Sequence, residues 1–127
     1  MKLLTVAIPC YNSAEYMDHA IETVLVGGEE IEILLIDDGS RDRTPQLADE
    51  YEKKYPNIIR TIHQENKGHG GAVNTGVENA KGMYFKVLDS DDWMDREAFL
   101  QVLEHCIRIV KTLKVTWITL LNLALKV

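Results

Sequence analysis

The stretch Leu3-Leu4-Thr5-Val6-Ala7-Ile8 is apolar at nearly every position rather than at alternate ones. A strand with one face in water alternates, whereas a strand that does not alternate has to be covered on both faces. Ile33-Leu34-Leu35-Ile36 has the same character. Two such runs, each followed by helical periodicity, exclude a one-sided antiparallel sheet. They predict an α/β fold of three layers, with a mostly parallel sheet and helices on both faces.

The rest of the chain fits between those runs. Asn12 followed by Glu15 predicts a capped helix start, and Met17, Ala20, Ile21, Val24 and Leu25 make one apolar stripe before Gly27-Gly28. The second strand spans Glu32 to Ile36. Thr44 is the expected cap of a second helix, with Pro45 in its first position and Leu47, Ala48, Tyr51 and Tyr55 inside. A third strand is expected over Ile58 to His63, then a loop from Gln64 to Gly71, a helix from Ala72 to Ala80, and a fourth strand from Met83 to Leu88. Asp95 starts a fourth helix with Phe99, Leu103, Cys106, Ile107 and Val110 on one side. Val115 to Leu121 reads equally as a fifth strand or as more helix. Residues 1–110 are therefore taken as the body and residues 111–127 as an atypical tail, truncated or altered.

Composition narrows the function. At 127 residues, 46% hydrophobic and 27% charged, the chain is one ordinary globular domain. A net charge of -6 argues against a nucleic-acid partner. Cys10 and Cys106 form neither a disulfide framework nor a metal pair, and they read as small apolar residues in a reduced compartment. No run reaches the roughly 20 apolar residues of a membrane span, and Pro9 cuts the first run short of a leader. A cytoplasmic location is expected.

Polar clusters follow the strands. Tyr11-Asn12, Asp37-Asp38-Gly39-Ser40 and Asp89-Ser90-Asp91-Asp92 all fall at predicted carboxyl ends, where open parallel sheets bind ligands. Asp89 and Asp91, two apart on an extended chain, point the same way with Cα atoms roughly 6.5 Å apart. Magnesium and manganese bind through one or two carboxylates plus substrate phosphates. The tip therefore reads as a site for Mn2+ or Mg2+ that holds a phosphorylated substrate. The competing reading is that these acids cap a helix or close a turn, a role that suits Asp95. At the second strand, Asp38 is placed to accept an imide N–H or a ribose hydroxyl, and Asp37 to orient the loop.

Gly68-His69-Gly70-Gly71 is no dinucleotide fingerprint: Val73 takes the last glycine's place, and the segment follows the third strand. A nicotinamide enzyme is thereby disfavoured. Lys67 is within reach of a diphosphate, and His69 is the one histidine placed near it. Trp93 is expected to pack under the acidic loop. Lys86, inside an apolar strand, is expected to need a carboxylate partner.

Ala7-Ile8-Pro9-Cys10-Tyr11-Asn12, Leu35-Ile36-Asp37-Asp38-Gly39-Ser40-Arg41-Asp42, Gln64-Glu65-Asn66-Lys67-Gly68, Asn74-Thr75-Gly76 and Leu88-Asp89-Ser90-Asp91-Asp92-Trp93 closely resemble family 2 glycosyltransferases of the Rossmann-like GT-A fold. The likeness runs from about Leu3 to about Cys106. It implies transfer of a sugar, with inversion, from a nucleoside diphosphate sugar, usually UDP-linked, to a saccharide or other hydroxyl acceptor. It implies that Pro9, Tyr11 and Asn12 flank the base and Asp38 holds it. Lys67 and Gly68 then lie by the donor, Asp89 and Ser90 meet donor or metal, and Asp89, Asp91 and Asp92 supply metal ligands. Val73 departs from the arginine many members carry. The family's base is an acid well downstream, and no acid follows Glu104. No catalytic residue is therefore assigned, and the chain is expected to carry the donor- and metal-binding half. The alternative is a non-catalytic nucleotide-sugar-binding or interaction fragment. Self-association through open sheet edges, and attachment of the full-length protein to the inner face of the membrane, are left as open expectations.

Overall fold

The computed structural model describes residues 1–125. Four strands, β1 (Leu4–Cys10), β2 (Ile31–Asp38), β3 (Ile59–Gln64) and β4 (Tyr84–Val87), form one sheet in the order β3-β2-β1-β4. Every pairing is parallel. The helices are α1 (Met17–Leu25), α2 (Thr44–Lys54), α3 (Gly68–Asn79) and α4 (Arg96–Leu125), with one short 3-10 turn at Gly28–Glu30.

The two apolar runs behave as their composition demands. Every residue of β1 and β2 is buried. On one face Val6, Ile8, Ile33, Leu35 and Ile59 pack against Met17, Ile21 and Val24 of α1, Ala48 of α2, and Phe99 and Leu103 of α4. On the other face Ala7, Leu34 and Ile36 meet Ala72 of α3. α3 lies very close to the sheet, because a Cβ on Gly76 would sit 2.9 Å from the Ala7 Cβ and 3.1 Å from the Ile36 Cδ1. Three layers with helices on both faces thus hold, with α3 alone on the second face.

That face also buries a charge. Glu32 accepts hydrogen bonds from the Thr5 hydroxyl at 2.9 Å, the Arg60 guanidinium at 3.2 Å and the Lys81 amide at 2.9 Å. Burial of a carboxylate is tolerated only with such partners.

Several sequence expectations shift. Neither Asn12 nor Thr44 caps a helix: the cap positions fall on Tyr16 and Arg43, without side-chain bonds. Asn12, at φ 50°, and Thr44 instead bind neighbouring loops. Glycine flexibility suggested a loop through Gly71, yet α3 begins at Gly68. Lys86 needs no buried partner, because β4 is an edge strand and its side chain is exposed. Trp93 is 58% exposed and rests against the His19 ring, 5.2 Å between centroids, instead of packing under the acidic loop. The choice at Val115 to Leu121 resolves to helix, since α4 runs unbroken across the expected boundary at residue 110. Lys126, the last basic residue, lies outside the described residues. No helix among the described residues is long and apolar enough to cross a membrane.

Candidate nucleotide-binding cleft

The chain passes from β1 outward to β2 and β3, then returns to the other side of β1 as β4. The loops leaving β1 and β4 run to helices on one face of the sheet and the loop leaving β3 runs to α3 on the other, so a crevice opens between them at the carboxyl edge. A cleft of about 490 Å³ lies there, a size suited to a small-molecule ligand. Pro9, Cys10 and Tyr11 line it from β1, Asp38 from β2, Gly68, His69 and Ala72 from α3, and Asp89, Ser90 and Asp91 from the tip of β4.

Asp38 is held firmly. It is 3% exposed. Its Oδ1 accepts the Gln64 side-chain amide and the Lys67 backbone amide, each at 2.8 Å. Both bonds fall on one oxygen, which leaves Oδ2 uncommitted. Gly39 follows at φ +75°, and a Cβ there would stand 2.9 Å from the Asn66 amide nitrogen. Only glycine lets the β2 loop pass so close to the β3–α3 loop.

The floor is braced from several directions. The Ser13 and Ser90 hydroxyls meet at 2.7 Å and tie the β1 loop to the β4 tip. The Asn12 amide donates to the Ser40 hydroxyl at 3.0 Å, and the Arg41 amide donates to the Asn12 side-chain carbonyl at 2.8 Å. Asp42 accepts from the Ala14 and Thr44 amides. Burial pushes the Cys10 thiol up to about 12, and the Asp37 and Asp42 carboxylates push the same way. Cys10 is thus an inert wall, not a nucleophile.

Of the residues singled out in the sequence, Pro9, Tyr11, Asp38, Gly68, Asp89, Ser90 and Asp91 come together at the cleft, whereas Asn12, Lys67 and Asp92 are not part of its lining. Asn12 braces two loops, Lys67 acts on Asp38 through its backbone, and Asp92 accepts the Trp93 amide at 2.9 Å. His69 does reach the wall, with Nε2 3.8 Å from Asp89 Oδ1. Tyr16 and Asn66 also line the cleft. Asn66 stands in the Gln64 to Gly68 segment, where the sequence reading gives it no role, and the only sequence signal for Tyr16 is proximity to the end of β1.

The cleft has a charge problem. Asp38, Asp89 and Asp91 face it, and the chain as a whole carries -6. The N-terminus of α3 opens on the same space and contributes a positive dipole end. Among the described residues no three His, Cys, Asp or Glu side chains converge as a metal cage. Two exposed carboxylates beside a roomy cleft nonetheless fit magnesium or manganese, which take one or two carboxylates and complete their shell with phosphate oxygens and water.

Comparison with known proteins places the family and the fold. The model of Glycosyl transferase family 2 matches residues 5–113. The minor teichoic acid biosynthesis protein GgaA of Bacillus subtilis is 39% identical over 106 residues, covering 79% of this chain and 24% of GgaA. The structure of S. aureus TarS 1–349 in complex with UDP-GlcNAc superposes with a TM-score of 0.70 at 26% identity, over 80% of this chain and 30% of that one. The mannosyltransferase PcManGT from Pyrobaculum calidifontis, in complex with GDP-Man and Mn2+, shares the fold at TM-score 0.66 and 24% identity, over 76% and 30% of the two chains. The chain spans about a third or less of the length of these proteins.

Proposed function

Because the chain belongs to glycosyl transferase family 2, we propose that it forms the donor half of a glycosyltransferase that moves a sugar from a uridine diphosphate sugar to a hydroxyl acceptor, with inversion. The observation that carries this reading is one cleft lined by Asp38 at the tip of β2, by Asp89 and Asp91 at the tip of β4, and by the α3 N-terminus. A nucleobase and a diphosphate need those two chemistries at opposite ends of one groove.

Tyr11 and Pro9 flank the base. Asp38 Oδ2 accepts the imide N–H of uracil. A single free acceptor suits that one donor, whereas guanine offers two adjacent donors that call for both oxygens of a carboxylate. Asp89 and Asp91 would hold Mg2+ or Mn2+, which supplies neutralisation of charge on the leaving diphosphate. Ser90 fixes the tip through Ser13, and the Asp92 carboxylate accepts the Trp93 amide. The base that takes the acceptor's proton is not assigned within this chain.

Calorimetric titration of the 127-residue chain with UDP, with and without magnesium, tests the reading. Saturable binding that magnesium strengthens is expected. Asp91→Ala should remove the magnesium-dependent part, weakening UDP by at least about tenfold. Absence of binding at millimolar UDP, or equal affinity in the Asp91→Ala chain, would overturn the proposal.

A further inference from the structure

His63, near the end of β3, is not part of the cleft lining, yet its ring is held at both nitrogens. Nδ1 lies 3.0 Å from Asp37 Oδ2, and Nε2 lies 2.7 Å from Asp49 Oδ1. An ionised carboxylate only accepts. A neutral imidazole has one donor and cannot satisfy both partners, so this geometry belongs to the imidazolium. The acidic groups facing the ring are Asp37 from β2 and Asp49 from α2. Glu52, also on α2, is engaged with the Thr61 amide at 3.0 Å.

Asp37 carries the effect onward. It is 4% exposed, and its other oxygen accepts the Ser40 amide at 3.1 Å. The Ser40 hydroxyl accepts the Asn12 amide, and Asn12 in turn accepts the Arg41 amide. Asn12 adjoins Tyr11, and Asp37 adjoins Asp38. One cation outside the cleft thus anchors the two loops that frame its base-binding end.

We propose that protonated His63 is a positioning residue for nucleotide recognition: by neutralising buried Asp37, it locks the Ser40–Asn12 bridge and makes nucleotide affinity depend on its own protonation. The inference rests on the nucleotide-binding reading above and adds to it a group that touches no ligand. Loss of one ring proton removes the positive charge beside buried Asp37 and leaves a single N–H, which can serve Asp37 or Asp49 but not both. The bridge then loosens, and the effect falls on nucleotide affinity. The hydrogen bond that the ring donates to Asp37 raises its pKa; burial opposes this, and Asp49 adds to the rise. The transition therefore lies above the ordinary value of about 6.5.

The test compares wild type with His63→Gln, which keeps one donor but no charge. UDP affinity is measured at fixed magnesium between about pH 6 and about pH 9. Titration of the nucleotide's own phosphate affects both chains alike, so the ratio of their Kd values isolates His63. Wild type should bind about fivefold or more tightly at the acidic end, and the two should converge as the ring deprotonates. A ratio that does not change with pH overturns the inference. In parallel, NMR on the nucleotide-free wild type follows the His63 ring and the Ser40 and Asn12 amides. All three should titrate with one midpoint, and amides that ignore the ring also overturn it. This second arm needs neither nucleotide nor variant. Failure of UDP to bind at any pH therefore overturns the function, while the amides still decide the clamp.

Discussion

Replacing Asp38 with asparagine tests the base-binding end most sharply, because the structure dictates which way the new amide faces. The Gln64 side-chain amide and the Lys67 backbone amide both donate to Oδ1. The introduced asparagine must keep its carbonyl oxygen there, or two partly buried donors lose their acceptor. Its NH2 group is thereby forced into the position of Oδ2. A uracil imide N–H then meets a donor where it had met a charged acceptor. A hydrogen bond to a charged group contributes about 1.5–3 kcal/mol. At about 1.4 kcal/mol per tenfold, UDP should weaken by about tenfold to about a hundredfold. Cytosine carries an acceptor at the same ring position, so CDP should gain on the variant relative to wild type. Calorimetry with both nucleotides at fixed magnesium reads the exchange, and the thermal midpoint confirms folding. UDP affinity unchanged within about threefold, or CDP weakened in parallel with UDP, would refute the orientation argument.

Gly76→Val should destabilise by about 1–3 kcal/mol, since its Cβ alone comes 2.9 Å from the Ala7 Cβ on a fully packed face. The drop should appear in the urea midpoint with the slope unchanged. Stability should also carry the His63 signature. Its folded pKa is raised, so its contribution is complete below about pH 6.5 and is lost as pH rises through the folded value. The wild-type urea midpoint should fall over that window, and that of His63→Gln should stay flat.

Much of the architecture was legible because burial leaves a compositional record. Leu3 to Ile8 and Ile33 to Ile36 are apolar without alternation, and only a sheet covered on both faces accepts that. Three polar clusters at strand ends, two of them acidic, pointed to one edge. Local signals that rest on a single side chain fared worse. Asn12 and Thr44 looked like caps, since their oxygens suit helix amides, but loop amides from distant segments claimed those oxygens. The Gly68 to Gly71 segment read as loop because glycine disfavours helix, yet tertiary packing built α3 from it.

Sequence alone settled what depends on neighbours along the chain: which runs are buried and where carboxylates follow apolar strands. Tertiary structure decided what depends on partners far apart in the chain. It brought the tips of β1, β2 and β4 and the start of α3 around one cleft. It spent one oxygen of Asp38 on Gln64 and Lys67, turned Asp92 to the Trp93 amide, and set His63 between two carboxylates. A residue's type gives its capacity to donate, accept or bury. Which capacity is used, and which remains for a ligand, is fixed only when the fold brings the competing partners within hydrogen-bond distance.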